Sequence, residues 1–212
     1  MTAISLQNNT SPLPGLVGLA LAIWFMISLW LALTGAFDLS IAGIPATLIL
    51  GIVAPLSVFG MTHRVSARFR EFISNLDIRP LILLHTWRVL GLGFVFLSFH
   101  NVLSPVFAFP AGLGDAAAAA GALLLGIALY TGKAVSVRTV KIWNSLGLMD
   151  FALAVTLGVL TRPGMGLFDE TLTSAPMGMF PLALIPGFIV PFYIITHWII
   201  VLNAANQLVN QK

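Results

Sequence analysis

The sequence predicts an all-α polytopic membrane bundle of about six transmembrane helices with both termini cytoplasmic. Three observations carry this. Hydrophobic residues make up 58% of the 212 positions. Charged residues make up only 8%, against about 25% in a soluble domain. The charges also sit almost wholly between long apolar runs. So few of them cannot cover the surface of a soluble globule, which excludes a cytosolic enzyme, a nucleic-acid binder and a disordered chain. The net charge of +3 is then a topology signal, with no nucleic-acid partner implied. The chain has no cysteine, which removes disulfides, thiolate catalysis and Cys-ligated metals.

Each apolar run approaches the 20 or so residues that cross a bilayer. They fall at about 14–37, 41–62, 80–101, 115–132, 142–161 and 177–203. Little is left outside, so the whole chain, 1–212, reads as one transmembrane domain. The first 37 residues carry no charge. A cleaved signal peptide wants a positive start and a short apolar core, so the stretch from Leu16 to Phe37 is expected to stay as a first helix.

The second and sixth runs share a pattern. Pro45, Gly51 and Pro55 have the spacing of Pro181, Gly187 and Pro191, with Pro186 added. Proline removes a backbone donor, so both helices should be irregular. A true internal repeat would instead match the second helix with the fifth. Between the second and third runs, Val65, Phe69, Phe72, Ile73 and Leu76 recur at helical spacing among Arg68, Arg70, Glu71, Asn75 and Arg79. Residues 64–79 therefore read as a short amphipathic helix on the cytoplasmic membrane surface, rather than as an extension of a neighbouring span.

The fourth run starts with Gly114 and Asp115, followed by five alanines. Gly114, Ala118, Ala122 and Gly126 repeat every four residues, a stripe that lets helices approach closely. Gly112-Leu-Gly114 reads as a tight turn in the outer loop, with Asp115 capping the helix behind it.

Orientation follows from Lys and Arg. One side carries Arg64, Arg68, Arg70, Arg79, Lys133, Arg138, Lys141 and Lys212; the other carries only Arg162, with Asp38, Asp115, Asp169 and Glu170. The positive-inside rule places the first set in the cytoplasm. Tyr130, Trp143 and Trp198 fall near the same interface, a level that aromatic rings favour.

Three strings stand out: His85-Thr-Trp-Arg88-Val-Leu-Gly91, Phe107-Ala-Phe-Pro-Ala-Gly112-Leu-Gly-Asp115, and Trp143-Asn144-Ser-Leu-Gly147-Leu-Met-Asp150. Over residues 80–160 the chain resembles a group of small uncharacterised bacterial multi-spanning membrane proteins, which carry R-x-x-G, P-A-G-x-G-D and W-N-x-x-G-x-x-D segments in that order. The resemblance implies a bacterial inner-membrane protein and supplies no activity.

Function is then read from polar residues at expensive depths. Arg88 and Asp150 both sit about eight residues inside their helices. An ionised group there costs about 2.5–3.5 kcal/mol to insert, so the two are expected to pair. Asn144, Gly147, Asp150, Ala154 and Gly158 form one polar and small stripe; His85, Arg88, Gly91, Val95 and Ser98 form another. With His197, the expected polar core is Arg88, Asp150, Asn144, His85 and His197. No catalytic constellation, phosphate loop or metal motif is present, so an enzyme is disfavoured. The leading reading is a membrane protein that binds or moves a small solute, ion or lipid. The rivals are an accessory or structural subunit, in which the charges only fix packing, and a haem-binding redox protein. Haem is disfavoured, because His85 and His100 on the third helix face only His197 on the sixth. Oligomeric state leaves no sequence signal.

Overall fold

Prolines and hydroxyl or carboxylate caps set the helix starts. The computed structural model describes residues 12–41, 44–165 and 171–209. Helix α1 (Leu13–Leu33) opens with proline in its first turn. After it, α2 runs over Ala46–Val65 and stops at Ser66, whose side chain accepts from the Phe69 amide and starts α3 (Ala67–Ser74). Asp77 starts α4 (Ile78–Leu84) in the same way, accepting from the Arg79 amide. The Arg79 guanidinium also donates to that carboxylate at 2.6 Å. These hydrogen bonds hold Asp77 below the usual carboxylate range. A 3-10 stretch, His85–Gly91, joins α4 to α5 (Leu92–Phe99). Helix α6 (Pro105–Tyr130) begins on proline, α7 (Val137–Leu160) on the Ser136 cap, and a π turn, Ile185–Ile189, leads into α8 (Val190–Val209).

Among the described residues, six helices are long and apolar enough to cross a membrane, counting Ile78–Phe99 and Ile185–Val209 each as one. The fold is all-α. Helix α1 lies at the edge and leaves Leu16, Met26 and Trp30 exposed, whereas α6 and the Ile185–Val209 helix are the most enclosed.

The two ends of the bundle differ in composition and packing. The basic end carries Arg64, Arg68, Arg70, Arg79, Lys133, Arg138 and Lys141. Just inside it, Ile78, Ile82, Ala122, Val140, Ile200 and Ala204 form an apolar plug. Its outer turn is stapled by α8: Asn203 Nδ2 donates to the carbonyls of Ile73 and Leu76, and Gln207 accepts from the Ile78 amide and donates to the Leu76 carbonyl. Phe69, Phe72 and Leu76 of the α3 region pack on Phe59, Ile73 and Ile199. Val65 does not join that apolar face; it is exposed on the last turn of α2, because Ser66 restarts the helix with a new register.

At the far end, Phe37 sits in a one-turn 3-10 helix, Ala36–Asp38. A Cβ added to Gly51 would lie 2.9 Å from its ring, and one added to Gly187 would lie 2.5 Å from it. The matched glycines of the second and sixth helices thus face each other and leave the space that one phenyl ring fills, a packing reason for the shared pattern.

Three expectations are corrected. Helix α6 begins at Pro105, not near 115, so Gly112-Leu-Gly114 is helical and Asp115 is an interior residue rather than a cap. Proline belongs at a first helical position, and Pro110 removes only one further backbone bond, so the segment that looked like loop stays helical. Trp143 is not an interfacial ring: it is buried and its indole donates to the Ala118 carbonyl at 2.9 Å. His63 lies in the last turn of α2, stacked on Phe59. Asp169, Glu170 and Lys212 lie outside the described residues.

Candidate functional site

The 3-10 geometry builds the centre of the site. With three residues per turn, positions three apart lie along one line. His85, Arg88 and Gly91 are therefore all buried, while Trp87 and Leu90 between them point outward. Arg88 faces α6, α7 and α8 from this line. Its side chain is 1% exposed.

Each nitrogen of the guanidinium is engaged. Nε donates to Asp115 Oδ1 at 2.8 Å, and Nη2 donates to Asp150 Oδ2 at 2.6 Å. Nη2 also reaches the Gly147 carbonyl at 3.4 Å. Nη1 lies 3.1 Å from His197 Nε2, and the guanidinium carbon stands 3.9 Å from the centre of the Phe151 ring. The expected Arg88–Asp150 pair is present, and Asp115 makes it a triad.

The donors fix two tautomers. Arginine only donates, so His197 Nε2 accepts and Nδ1 carries the proton, which it donates to Asn144 Oδ1 at 2.8 Å. The Thr196 hydroxyl donates its proton to the Tyr193 carbonyl, so His85 Nε2 donates to Thr196 Oγ1 at 3.0 Å. His85 Nδ1 is left as a lone pair, buried and without a hydrogen-bond partner. His197 is thus neutral, and so is His85, whose buried Nδ1 has no acceptor for a second proton. Their ring centres are 4.0 Å apart. No porphyrin plane fits between rings that touch, and both Nε2 atoms are occupied, so these residues do not fit a shared haem. His100 is outside this cluster: its Nδ1 donates to the Phe96 carbonyl at 2.9 Å.

The glycines of the three strings explain their spacing. A Cβ on Gly91 would collide with Asp115, one on Gly114 with Asp150, and one on Gly147 with His197 and Arg88. Each string contributes a charged group and also the empty place in which a charge from another string sits. Asp150 on α7 rests over Gly114 on α6, Asp115 on α6 rests over Gly91, and Arg88 rests over Gly147 on α7. The sequence alone points to the charges of the first and third strings but reads Asp115 as a helix cap outside the core. The R-x-x-G and G-D neighbourhoods were the available signal, since a glycine beside each charge marks a close approach.

A cavity of about 60 Å³ adjoins the cluster, room for about four to six waters at 10–15 Å³ each. Asp115 and Phe151 line its inner end, with Phe94 and Phe107 along the wall. Arg162 and Ser174 line its outer end. Arg162 there donates at 2.6 Å to Asp38, whose side chain is 44% exposed, so that end lies near the surface of the far end. Ala154 and Gly158, from the predicted stripe of α7, also line the cavity. Among the described residues no group of three or more His, Cys, Asp or Glu is arranged to hold a metal ion.

No curated protein and no solved structure matches the chain. Residues 44–204 match the family model described as a domain of unknown function, DUF8737. The match includes all three strings, the whole charge cluster and most of the described chain, and the chain belongs to that family.

Proposed function

We propose that this chain is a multi-pass membrane protein that binds a small polar or ionic solute at an intramembrane site built on Arg88, Asp115, Asp150, Asn144, His85 and His197. The carrying observation is that the cavity ends on Asp115 rather than on apolar side chains alone. A charge cluster needed only for packing has no reason to border a space large enough for water, and intramembrane charges mark solute and ion paths. In this reading both termini are cytoplasmic, in a bacterial inner membrane. The α3 segment lies at the cytoplasmic surface with Arg68, Arg70 and Glu71 toward water and headgroups. Lipid is the constant partner.

The topology is tested with reporters fused after Lys212 and inserted at Thr173. They are expected on opposite sides of the membrane; the same side for both defeats the six-span reading. Solute movement is tested in proteoliposomes, by comparing flux of small ions and polar solutes with wild-type protein and with the Asp115→Asn variant. Equal flux in both removes the site from the function.

A second reading, an accessory subunit whose charge cluster fixes helix packing, is favoured by the three glycine contacts, which lock α6, α7 and the third apolar helix in one register. Retention of all activity of a partner complex after apolar replacement of the whole triad would select it.

A further inference from the structure

The charges of the cluster do not balance. One guanidinium faces two carboxylates. The other groups around Asp115 and Asp150 are neutral in this geometry: His197 and Tyr193 from α8, Asn144 from α7, and His85 from the third helix. Arg162, at the outer end of the cavity, is already matched by Asp38. With both aspartates ionised the cluster carries a net charge of −1, while their side chains are only 16% and 10% exposed. A buried net charge is costly unless it is neutralised. Two carboxylates gathered on one site are met with a single shared proton where like charges crowd.

We propose that Asp115 and Asp150 together hold one exchangeable proton, which enters from the far end through the cavity that stops at Asp115. The proposal rests on the reading of a solute site inside the bundle and names its occupant. A proton fits better than a metal cation because hard cations demand about six or more oxygen ligands. Here Asp115 meets Phe94, Phe107 and Phe151 in the cavity, and these offer none. The route is one-sided. Beyond the cluster toward the basic end lies the apolar plug of Ile78, Ile82, Ala122, Val140, Ile200 and Ala204. The unpartnered lone pair of His85 Nδ1 is the next vacant acceptor on that side.

The step moves no electrons. A proton delivered by water in the cavity adds to a carboxylate oxygen of Asp115 or Asp150, and the guanidinium keeps its bond to the carboxylate that stays ionised.

Infrared difference spectroscopy of purified wild-type protein in detergent, labelled with carboxyl-13C aspartate, tests this without any variant. The expected result is one carboxylic-acid carbonyl band at neutral pH. It should shift with the label and in heavy water, and vanish as pH rises. Absence of an aspartic-acid band throughout the titration overturns the proposal. Replacement of choline by sodium at fixed pH should leave the band in place; its removal by sodium overturns the proton in favour of a metal cation. Asp115→Asn and Asp150→Asn should each abolish or move the band, and a band unchanged by both places the proton elsewhere and defeats the assignment.

The route is tested in Ala154→Cys, the native chain having no other thiol. Attachment of a bulky thiol reagent in the folded protein should slow hydrogen–deuterium exchange of the band by an order of magnitude or more. Exchange unchanged by the attachment overturns the entry path. Flux that persists without an aspartic-acid band would refute the proton and keep the solute site; a band without flux would keep the proton and refute transport.

Discussion

The two ends of the bundle close on the same charge cluster in opposite ways. Toward the basic end, Ala122, Ile82, Ile200 and Ala204 are wholly buried in one apolar cluster. Toward the far end, Phe94, Phe107 and Ala154 border a cavity that reaches Asp115. Next to the cluster both linings are largely apolar, so polarity does not separate them there. Side-chain size does: small residues on α6 meet large aliphatic ones in the plug, whereas aromatic rings bracket the cavity and prop its walls apart. One end is thereby a seal and the other a vestibule.

The largest test of this contrast is at its centre. Arg88→Leu leaves the buried carboxyl pair of Asp115 and Asp150 without its cation and should cost about 3–5 kcal/mol, read as lost folded yield and a lower melting temperature in detergent. The double replacement Arg88→Leu with Asp150→Leu should recover little, because Asp115 remains uncompensated. Adding Asp115→Leu should restore much of the yield. Strictly additive losses through the series would show that the three residues do not interact.

The glycine contacts come next. Gly114→Ala places a methyl where Asp150 sits, and overpacking of this kind costs about 1–3 kcal/mol. Gly93→Ala, on the same apolar helix as Arg88, meets nothing within 4 Å. It should be neutral or slightly stabilising, and equal effects at the two positions would discount the interlocked strings.

The same substitution at the two ends sharpens the comparison directly. Ala122→Leu in the plug should cost about 1–3 kcal/mol, while Ala154→Leu fills open space and should change stability little. A similar cost at both positions, measured by thermal unfolding, would mean that the far end is as tightly packed as the basic end.

The smallest effect lies at the basic surface. Asp77→Ala removes a helix cap worth about 1 kcal/mol. Arg79 holds the folded-state pKa of Asp77 below its ordinary value, so the contribution is present above that ordinary value and is lost as pH falls through the lowered one. The gap in melting temperature between wild type and Asp77→Ala should therefore narrow in acid; a constant gap would remove the ionised cap from the account.

Much of this was readable from residue order. The six apolar runs, the pairing of Arg88 with Asp150, and the burial of His85, Asn144 and His197 follow from length and from the cost of polar groups at depth. Asp115 was misplaced because Pro110, Gly112 and Gly114 are ordinary loop markers, and only the fold shows that glycine is there to admit a carboxylate. The cavity was not legible either, since it arises from how Phe94, Phe107 and Phe151 meet across three helices. Nothing in His85–Gly91 announces a 3-10 stretch, because it carries no proline that would break ordinary α winding.

That stretch has a consequence for reach. A 3-10 turn rises about 2.0 Å per residue against 1.5 Å in an α-helix. The Ile78–Phe99 helix has 22 residues and its partner Val137–Leu160 has 24. Seven residues wound tightly lengthen the shorter one to about 36 Å, the same as the longer. The two therefore reach about the same length with unequal numbers of residues. Thermal or lipid conditions that relaxed His85–Gly91 to α-helix would shorten the element by about 3.5 Å. Within the proposed membrane setting, a change in the length of this element would move Arg88 against Asp115 and Asp150 on its neighbours.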